Sequence, residues 1–341
     1  MKISPLKWLG LLLLWSALLA AVAWGSAALW FDGPASRNLA GLLAAIYALT
    51  ALSLPLWVRP LRRAFFLAFF LFAVLLAWWL TIAPSNERDW LADVARLPTA
   101  EIRGDELTIR NLRNFDYRSE TDYTERWETR SYDLSRLRGV DLHHIYWGSP
   151  DIAHTILSWE FDDGQHLAIS IETRKETGES YSAVRGFFRQ YELYYVVADE
   201  RDVIALRTHH RHEDVYLYRL RTPPERARAL LLNYLETVNR LAAKPKWYNA
   251  LRQNCTTTIR LHAESVIGGI PRDWRWLANG HLDELLYQYD IINRDLPFAE
   301  LKSRSHLNPL VSALPVDADF SSTIRRQLPP RPAFTATRSS P

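Results

Sequence analysis

The chain has 341 residues and carries 41 Lys and Arg against 38 Asp and Glu. Its first 83 residues hold six Lys and Arg and one acidic residue, which leaves 35 basic and 37 acidic residues in the nearly neutral remainder. This balance argues against a nucleic-acid partner, and the single cysteine excludes an intramolecular disulfide.

Three long apolar runs occupy residues 1–83: Leu6–Phe31, Leu39–Val58 and Ala64–Ala83. Each has close to the ~20 residues that cross a bilayer. The first is too long for a signal peptide, and two more follow it at once, so residues 1–83 are expected to form a three-span transmembrane anchor. Three consecutive buried helices of a soluble protein are the less favoured alternative.

The basic residues around these runs predict the orientation of the anchor. Lys2 and Lys7 lie at the start of the first run, and Arg59, Arg62 and Arg63 separate the second run from the third. The positive-inside rule therefore places the N-terminus and the Arg-rich loop in the cytoplasm. Three spans then put everything after residue 83 on the outer face of the membrane.

Residues 84–314 are predicted to form an α+β domain, in which an antiparallel sheet packs on helices. A short helical stretch is expected at Trp90–Arg96, an amphipathic helix at Pro223–Ala243 and a further helix from Cys255 to Ile267. From residue 315 the chain is rich in Pro, Ser and Arg, which predicts a disordered tail over residues 315–341. Strand-like patterns occur at Glu106–Arg113, Val140–Gly148, Ile152–Phe161, Gln165–Thr173, Tyr191–Ala198, Val203–Arg207 and Asp214–Leu220.

The segment Asp162-Asp163-Gly164 predicts a hairpin with a defined register. If it is a three-residue loop with a left-handed Gly164, Phe161 faces Gln165, and one face of the hairpin becomes uniformly apolar. In that register His154 lies opposite Glu172, with their Cβ atoms about 5 Å apart. A carboxylate there would orient the imidazole and raise its basicity, although an exposed ion pair of little energetic value is an alternative.

The other histidines are weaker candidates. His166 shares the polar face of the hairpin but lies about 20 Å along the strand from Glu172, so Glu172 is preferred as the partner of His154. His143 and His144 point to opposite faces of one strand. The cluster of His209, His210 and His212 lacks a fixed ligand spacing, and no metal or cofactor site is expected.

Cys255 directly follows Asn254, a good helix N-cap, and is therefore expected in the first turn of a helix. Free backbone N–H groups and the helix dipole stabilise a thiolate at that position. The alternative is a buried cysteine that acts as a small apolar side chain.

Several segments between Tyr146 and about Ile292 carry a family resemblance. They are Tyr146–Pro150, Ala153-His154-Thr155, Ala168–Arg174, Gly178–Ser182, Phe188–Leu193, Asp199–Asp202, Trp247-Tyr248-Asn249 and Asn254–Thr257. The Asn-Cys-Thr-Thr segment together with the upstream Ala-His-Thr is fairly specific. This stretch resembles the Lnb N-terminal periplasmic domain family.

The resemblance implies a papain-like, NlpC-type thiol enzyme with a permuted chain order, in which histidine precedes cysteine. It implies a Cys255 nucleophile, a His154 base and a polar orienting residue, for which we nominate Glu172. We expect backbone N–H groups at the start of the Cys255 helix, with Asn254 or Tyr248, to hold the oxyanion. The family also implies a protein of the bacterial inner membrane whose C-terminal domain is periplasmic.

The expected function is that of a membrane-anchored cysteine acyltransferase or hydrolase. Its substrate would be a lipoprotein, a membrane lipid or another cell-envelope ester or amide, and the intermediate a Cys255 thioester. Two alternatives remain: a peptidoglycan amidase or endopeptidase, and a non-catalytic envelope sensor or binding protein. A polar groove at the site would favour peptide, and an apolar tunnel would favour acyl chains.

Overall fold

The computed structural model describes residues 5–251, 253–312 and 314–334. The chain divides into two compact units. One contains the chain up to Ser85 together with Tyr181–Tyr191, and the other contains Asn86–Ser180 and the chain from Glu192 onward. Lys2 lies outside the described residues, as do residues 335–341 of the predicted tail.

The first unit contains the three apolar runs as helices α1 (Pro5–Asp32), α2 (Arg37–Trp57) and α3 (Leu61–Thr81). Each is long and apolar enough to cross a membrane, which confirms the predicted helices by length and composition. The helices pack through Leu18, Val22, Ala51, Phe65 and Ala68. The orientation of the anchor stays a prediction.

The segment Tyr181–Tyr191 belongs to the same unit as the three helices. Phe188 is buried in one apolar cluster with Ala28, Tyr47 and Leu75. Beside this cluster, Asp32 accepts hydrogen bonds from the Trp79 indole at 2.6 Å and from the Gln190 amide. Local patterns could not predict this packing, because Phe188 is more than 100 residues from the nearest of the three helices.

The second unit is built on a mixed eight-stranded sheet. The strands of this unit are β1 (Thr99–Arg103), β2 (Glu106–Arg113), β3 (Asp116–Tyr117), β4 (Tyr123–Thr124), β5 (Trp127–Asp133), β6 (Leu137–Ser149), β7 (Ile152–Phe161), β8 (His166–Arg174), β9 (Glu192–Ala198) and β10 (Asp214–Arg219). The sheet has the order β1-β2-β9-β8-β7-β6-β10, with β5 paired to β2. A separate short ribbon contains β3 and β4. The expectation of a purely antiparallel sheet is wrong at one place, because β2 and β9 are parallel neighbours.

The predicted register of the β7–β8 hairpin is confirmed. Gly164 has φ +85°, and the Phe161 N–H donates to the Gln165 carbonyl at 3.0 Å. The paired residues run from Glu160 opposite His166 to Ile156 opposite Ser170. Continuing this alternation toward the open end of the hairpin brings His154 level with Glu172.

The helices of this unit follow or separate the strands: α4 (Glu200–Ala205), α5 (Pro224–Ala243), α6 (Cys255–Ile267), α7 (Leu282–Gln288), α8 (Phe298–Ser305), α9 (Asn308–Val311) and α10 (Phe320–Arg325). The amphipathic α5 packs on the apolar hairpin face, where the Trp159 indole donates to the Ala227 carbonyl at 2.9 Å. The α6 helix packs beside it, and the Tyr234 ring of α5 stacks on His262 of α6.

The opposite face of the sheet, predicted to be polar, is also buried. Ile156 and Ala168 share an apolar cluster there with Ile204, Val311 and Phe320. Val203–Arg207, predicted as a strand, instead contains the end of α4 and the start of the π-helical turn Leu206–His210 that follows it. Asp199 caps α4 by accepting from the Arg201 N–H, and this cap outweighs the β propensity of the Val and Ile residues.

The tail is ordered over residues 315–334, which corrects the predicted disorder of this segment. Phe320, Ile324 and Leu328 join the apolar cluster on the second face of the sheet. The Arg325 guanidinium binds Glu200 at 2.7 Å and Asp141 at 2.8 Å, and all three side chains are buried. The composition of the tail predicted disorder because the carboxylates that bind Arg325 are more than 100 residues away in sequence, so no local pattern shows them as its partners.

Candidate active site

Cys255 is the first residue of α6 and is 9% exposed. The predicted cap is confirmed, since the Asn254 side chain accepts a hydrogen bond from the Thr257 N–H at 2.8 Å. The thiol therefore lies at the positive end of the helix dipole, where a thiolate is stabilised.

His154 lies near the start of β7, and its Nε2 atom contacts two polar groups of β8. The Ser170 hydroxyl oxygen is 2.7 Å away and the nearest Glu172 carboxylate oxygen is 3.1 Å away. The structure thus brings His154 and Glu172 together, as the register predicts. Because Nε2 is engaged, Nδ1 is the ring nitrogen left to exchange a proton with the thiol.

Glu172 is held by more than its histidine. Its Oε1 atom accepts from the Ser170 hydroxyl at 2.7 Å and from the Arg207 guanidinium at 2.9 Å. Arg207 in turn binds Glu213 at 2.8 Å. Burial opposes the charge of Glu172, but the His154 imidazolium and Arg207 hold its pKa well below the usual value.

The thiol and the imidazole form a coupled pair. Burial opposes the charge of the thiol, but His154, the Thr256 hydroxyl and the Thr155 N–H together lower the pKa of Cys255. Burial also disfavours the imidazolium, yet Glu172 and the Cys255 thiolate raise the pKa of His154 to about 9. The lowered pKa of Cys255 and the raised pKa of His154 both favour a thiolate–imidazolium pair near neutral pH. A catalytic thiol reacts from this state.

The two nominated oxyanion residues precede Cys255 in the chain, Asn254 directly and Tyr248 by seven residues. The Asn254 side-chain oxygen caps α6, and the side-chain nitrogen donates to the Ala250 backbone carbonyl at 2.9 Å. Tyr248 is buried, with 8% of its surface exposed. A contact with an oxyanion stays a prediction for both residues.

Four further side chains of the site are Ser170, Arg207, Thr256 and Asn279. Ser170 could have been identified from the sequence, because it lies two residues before Glu172 and therefore on the same face of the strand. Arg207 was misplaced by the strand prediction. Asn279 follows Cys255 by 24 residues and begins a separate short 3₁₀ helix, Asn279–His281, so no periodic pattern connects the two.

The remaining histidines lie elsewhere. His166 contacts the Gly164 carbonyl at the turn end of β8, and His144 contacts the Gly280 carbonyl at 3.3 Å. His143 is buried on the face of the sheet opposite to His144, and its Nε2 atom is 3.8 Å from the Glu200 carboxylate. His209 contacts the Val311 carbonyl. Within the described residues, no group of three His, Cys, Asp or Glu side chains is arranged to hold a metal ion.

Comparison with known proteins identifies the region that carries the site. Residues 123–280 match the family described as the Lnb N-terminal periplasmic domain. No curated protein and no solved structure matches the chain. The matched region contains the β7–β8 hairpin, the helices α5 and α6, and Asn279. The match fits a membrane-anchored protein with a periplasmic domain. The comparison therefore assigns residues 123–280 to the Lnb N-terminal periplasmic domain family.

Proposed function

We propose that this protein is a membrane-anchored thiol enzyme that transfers or hydrolyses an acyl group through a thioester on Cys255. The observation that carries the proposal is the arrangement of Cys255, His154 and Glu172. A thiol at a helix start interacts with an imidazole whose Nε2 is bound by a serine hydroxyl and a carboxylate.

In the first half-reaction the Cys255 thiolate attacks the carbonyl carbon of an ester or amide and forms a C–S bond. The carbonyl oxygen becomes an oxyanion, which we expect N–H groups at the start of α6 to stabilise. The His154 imidazolium then gives a proton to the departing alcohol or amine as its bond to carbon breaks. The acyl group remains on sulfur as a thioester.

In the second half-reaction a water, alcohol or amine attacks the thioester carbonyl. Neutral His154 accepts the proton of the attacking group, and the C–S bond breaks to regenerate the thiolate. Glu172 keeps the imidazole oriented and stabilises its charge in both steps, a role like that of the carboxylate in other triads. Water gives hydrolysis, and an alcohol or amine gives transfer.

The anchor indicates where such a substrate would be found. Three helices suited to cross a membrane precede the domain, and the family is a periplasmic one. We therefore propose a multi-pass protein of the bacterial inner membrane whose domain acts on a lipoprotein, a membrane lipid or another envelope ester or amide. A permuted papain-like chain order, with histidine before cysteine, is part of the same proposal.

The proposal is tested by intact-mass measurement of the purified protein after incubation with native membranes. A mass increase that hydroxylamine removes, and that Cys255→Ala lacks, would identify a thioester on this residue. The added mass also distinguishes the alternatives, because a fatty acyl group and a peptidoglycan peptide differ in mass. If no adduct forms in several membrane preparations, and the intact masses of His154→Ala and wild type are equally unchanged, the enzymatic proposal is wrong.

A further inference from the structure

The side chain of Asn279 joins the strand that carries His154 to the helix that carries Cys255. Its Oδ1 atom accepts from the Ala153 N–H at 2.9 Å, and its Nδ2 atom donates to the Ala153 carbonyl at 2.5 Å. The same nitrogen donates to the Thr256 hydroxyl oxygen at 2.6 Å and lies 3.8 Å from the Cys255 sulfur. Asn279 is buried, so these contacts are shielded from water.

The amide of Asn279 has one orientation that satisfies its neighbours. The Ala153 N–H requires an acceptor, which fixes the carbonyl oxygen on that side. The NH₂ group must then face the Ala153 carbonyl and Thr256. An amide nitrogen has only hydrogens to offer, so the Thr256 oxygen is the acceptor in their hydrogen bond.

This direction determines what the Thr256 hydroxyl does with its own proton. Its oxygen accepts from Asn279, and the Cys255 sulfur lies 3.6 Å from it. A thiolate can only accept. We propose that Asn279 orients the Thr256 hydroxyl to donate to the Cys255 thiolate, so that Thr256 stabilises the nucleophile and Asn279 positions it. This inference rests on the proposed role of Cys255 as a nucleophile.

The backbone around Asn279 is held in place by the neighbouring Gly280. The Gly280 carbonyl accepts from the Tyr146 hydroxyl at 2.6 Å and contacts His144 at 3.3 Å. A Cβ atom at Gly280 would overlap the Pro150 carbonyl, so the close approach of the two segments requires glycine. Asn279 is therefore presented to the thiol by a segment that is fixed on its far side.

Two other titratable groups, His154 and Tyr234, interact with the Cys255 sulfur. His154 supplies positive charge, and Tyr234 of α5 stays protonated because burial, with smaller contributions from Tyr195 and Cys255, raises its pKa well above the usual value. Thr258 lies one turn after Cys255 on α6. Its buried hydroxyl has no hydrogen-bond partner among the described residues, which makes it a matched control for Thr256.

The test is the thiol pKa, measured from the rate of alkylation against pH in the full-length protein in detergent. Cys255 is the only cysteine, so the rate reports a single site. Thr256→Val should raise the thiol pKa by about one pKa unit, because a hydrogen bond to a charged group is lost. Thr256→Ser should restore the wild-type value, and Thr258→Val should leave it unchanged. Asn279→Asp cannot donate and adds a negative charge beside the sulfur, so it should raise the thiol pKa at least as much as Thr256→Val does.

Two results would overturn the inference: a Thr256→Val thiol pKa equal to that of Thr258→Val, or a Thr256→Ser value as high as that of Thr256→Val. If Asn279→Asp does not fold, the two threonine positions still decide. His154→Ala separates this inference from the proposed function. If that variant alone raises the thiol pKa, the nucleophile stands and the roles of Thr256 and Asn279 fall.

Discussion

Glu172→Gln removes the negative charge that faces the Nε2 atom of His154 while preserving the size of the side chain. In the folded protein this carboxylate contacts His154 at 3.1 Å, Ser170 at 2.7 Å and Arg207 at 2.9 Å. The amide can still contact the imidazole and the serine hydroxyl. It cannot stabilise an imidazolium by charge, and it leaves Arg207 with one carboxylate partner fewer.

The size of the effect follows from the protonation of His154. Burial and Arg207 lower the pKa of this histidine, whereas Glu172, the largest influence that raises it, and Cys255 together bring it from 6.5 to about 9. That rise corresponds to roughly 3 kcal/mol in favour of the imidazolium. Without the carboxylate charge, burial and Arg207 should bring the pKa to its ordinary value or lower. We expect thioester formation on Cys255 to slow by about 100-fold, as for other orienting residues of triads.

The assay is the rate of Cys255 acylation by native membranes, followed by intact mass, with thermal melts to confirm folding. Two variants serve as controls. Glu213→Gln removes a carboxylate on the other side of Arg207, and His166→Ala alters the far end of β8. Each should change the rate less than tenfold. A Glu172→Gln rate near that of wild type, together with a His166→Ala rate as low as that of Cys255→Ala, would refute the assignment of Glu172.

Three further results are expected. Turnover should fall as the pH rises through about 9, because His154 then loses the proton that it gives to the leaving group; a rate that still climbs at about pH 10 would contradict this. Arg325→Met should destabilise the domain by about 3–5 kcal/mol in unfolding measurements, because Glu200 is left buried without its cation, whereas Arg304→Met, in an exposed pair, should cost about 1 kcal/mol or less. An alkaline phosphatase fused at the C-terminus should be active and one fused at Arg62 silent, and the reverse pattern would rule out the proposed orientation.

Local patterns were sufficient for the parts of the site that lie close in sequence. The Asp162-Asp163-Gly164 loop and the alternation around it fixed the register that brings His154 to Glu172. Asn254 marked the start of α6 because its side chain satisfies a backbone N–H that the helix itself cannot satisfy. Both inferences depend on interactions within a few residues or across one tight turn.

Contacts between distant segments could not be read in the same way. Arg207 reaches Glu172 only because Asp199 caps a helix where β-branched residues predict a strand. The tail is ordered because Arg325 finds carboxylates from two other elements. Asn279 has no periodic relation to Cys255, and its two hydrogen bonds to Ala153 become visible only in the folded chain.

The most direct test of the central claim is the pH dependence of Cys255 alkylation in wild type and His154→Ala. If the thiol is paired with the imidazole, the wild-type profile should show a thiol pKa well below that of free cysteine, and His154→Ala should remove most of that difference. A wild-type profile like that of free cysteine, unchanged by His154→Ala, would contradict the account and leave Cys255 as a packing residue.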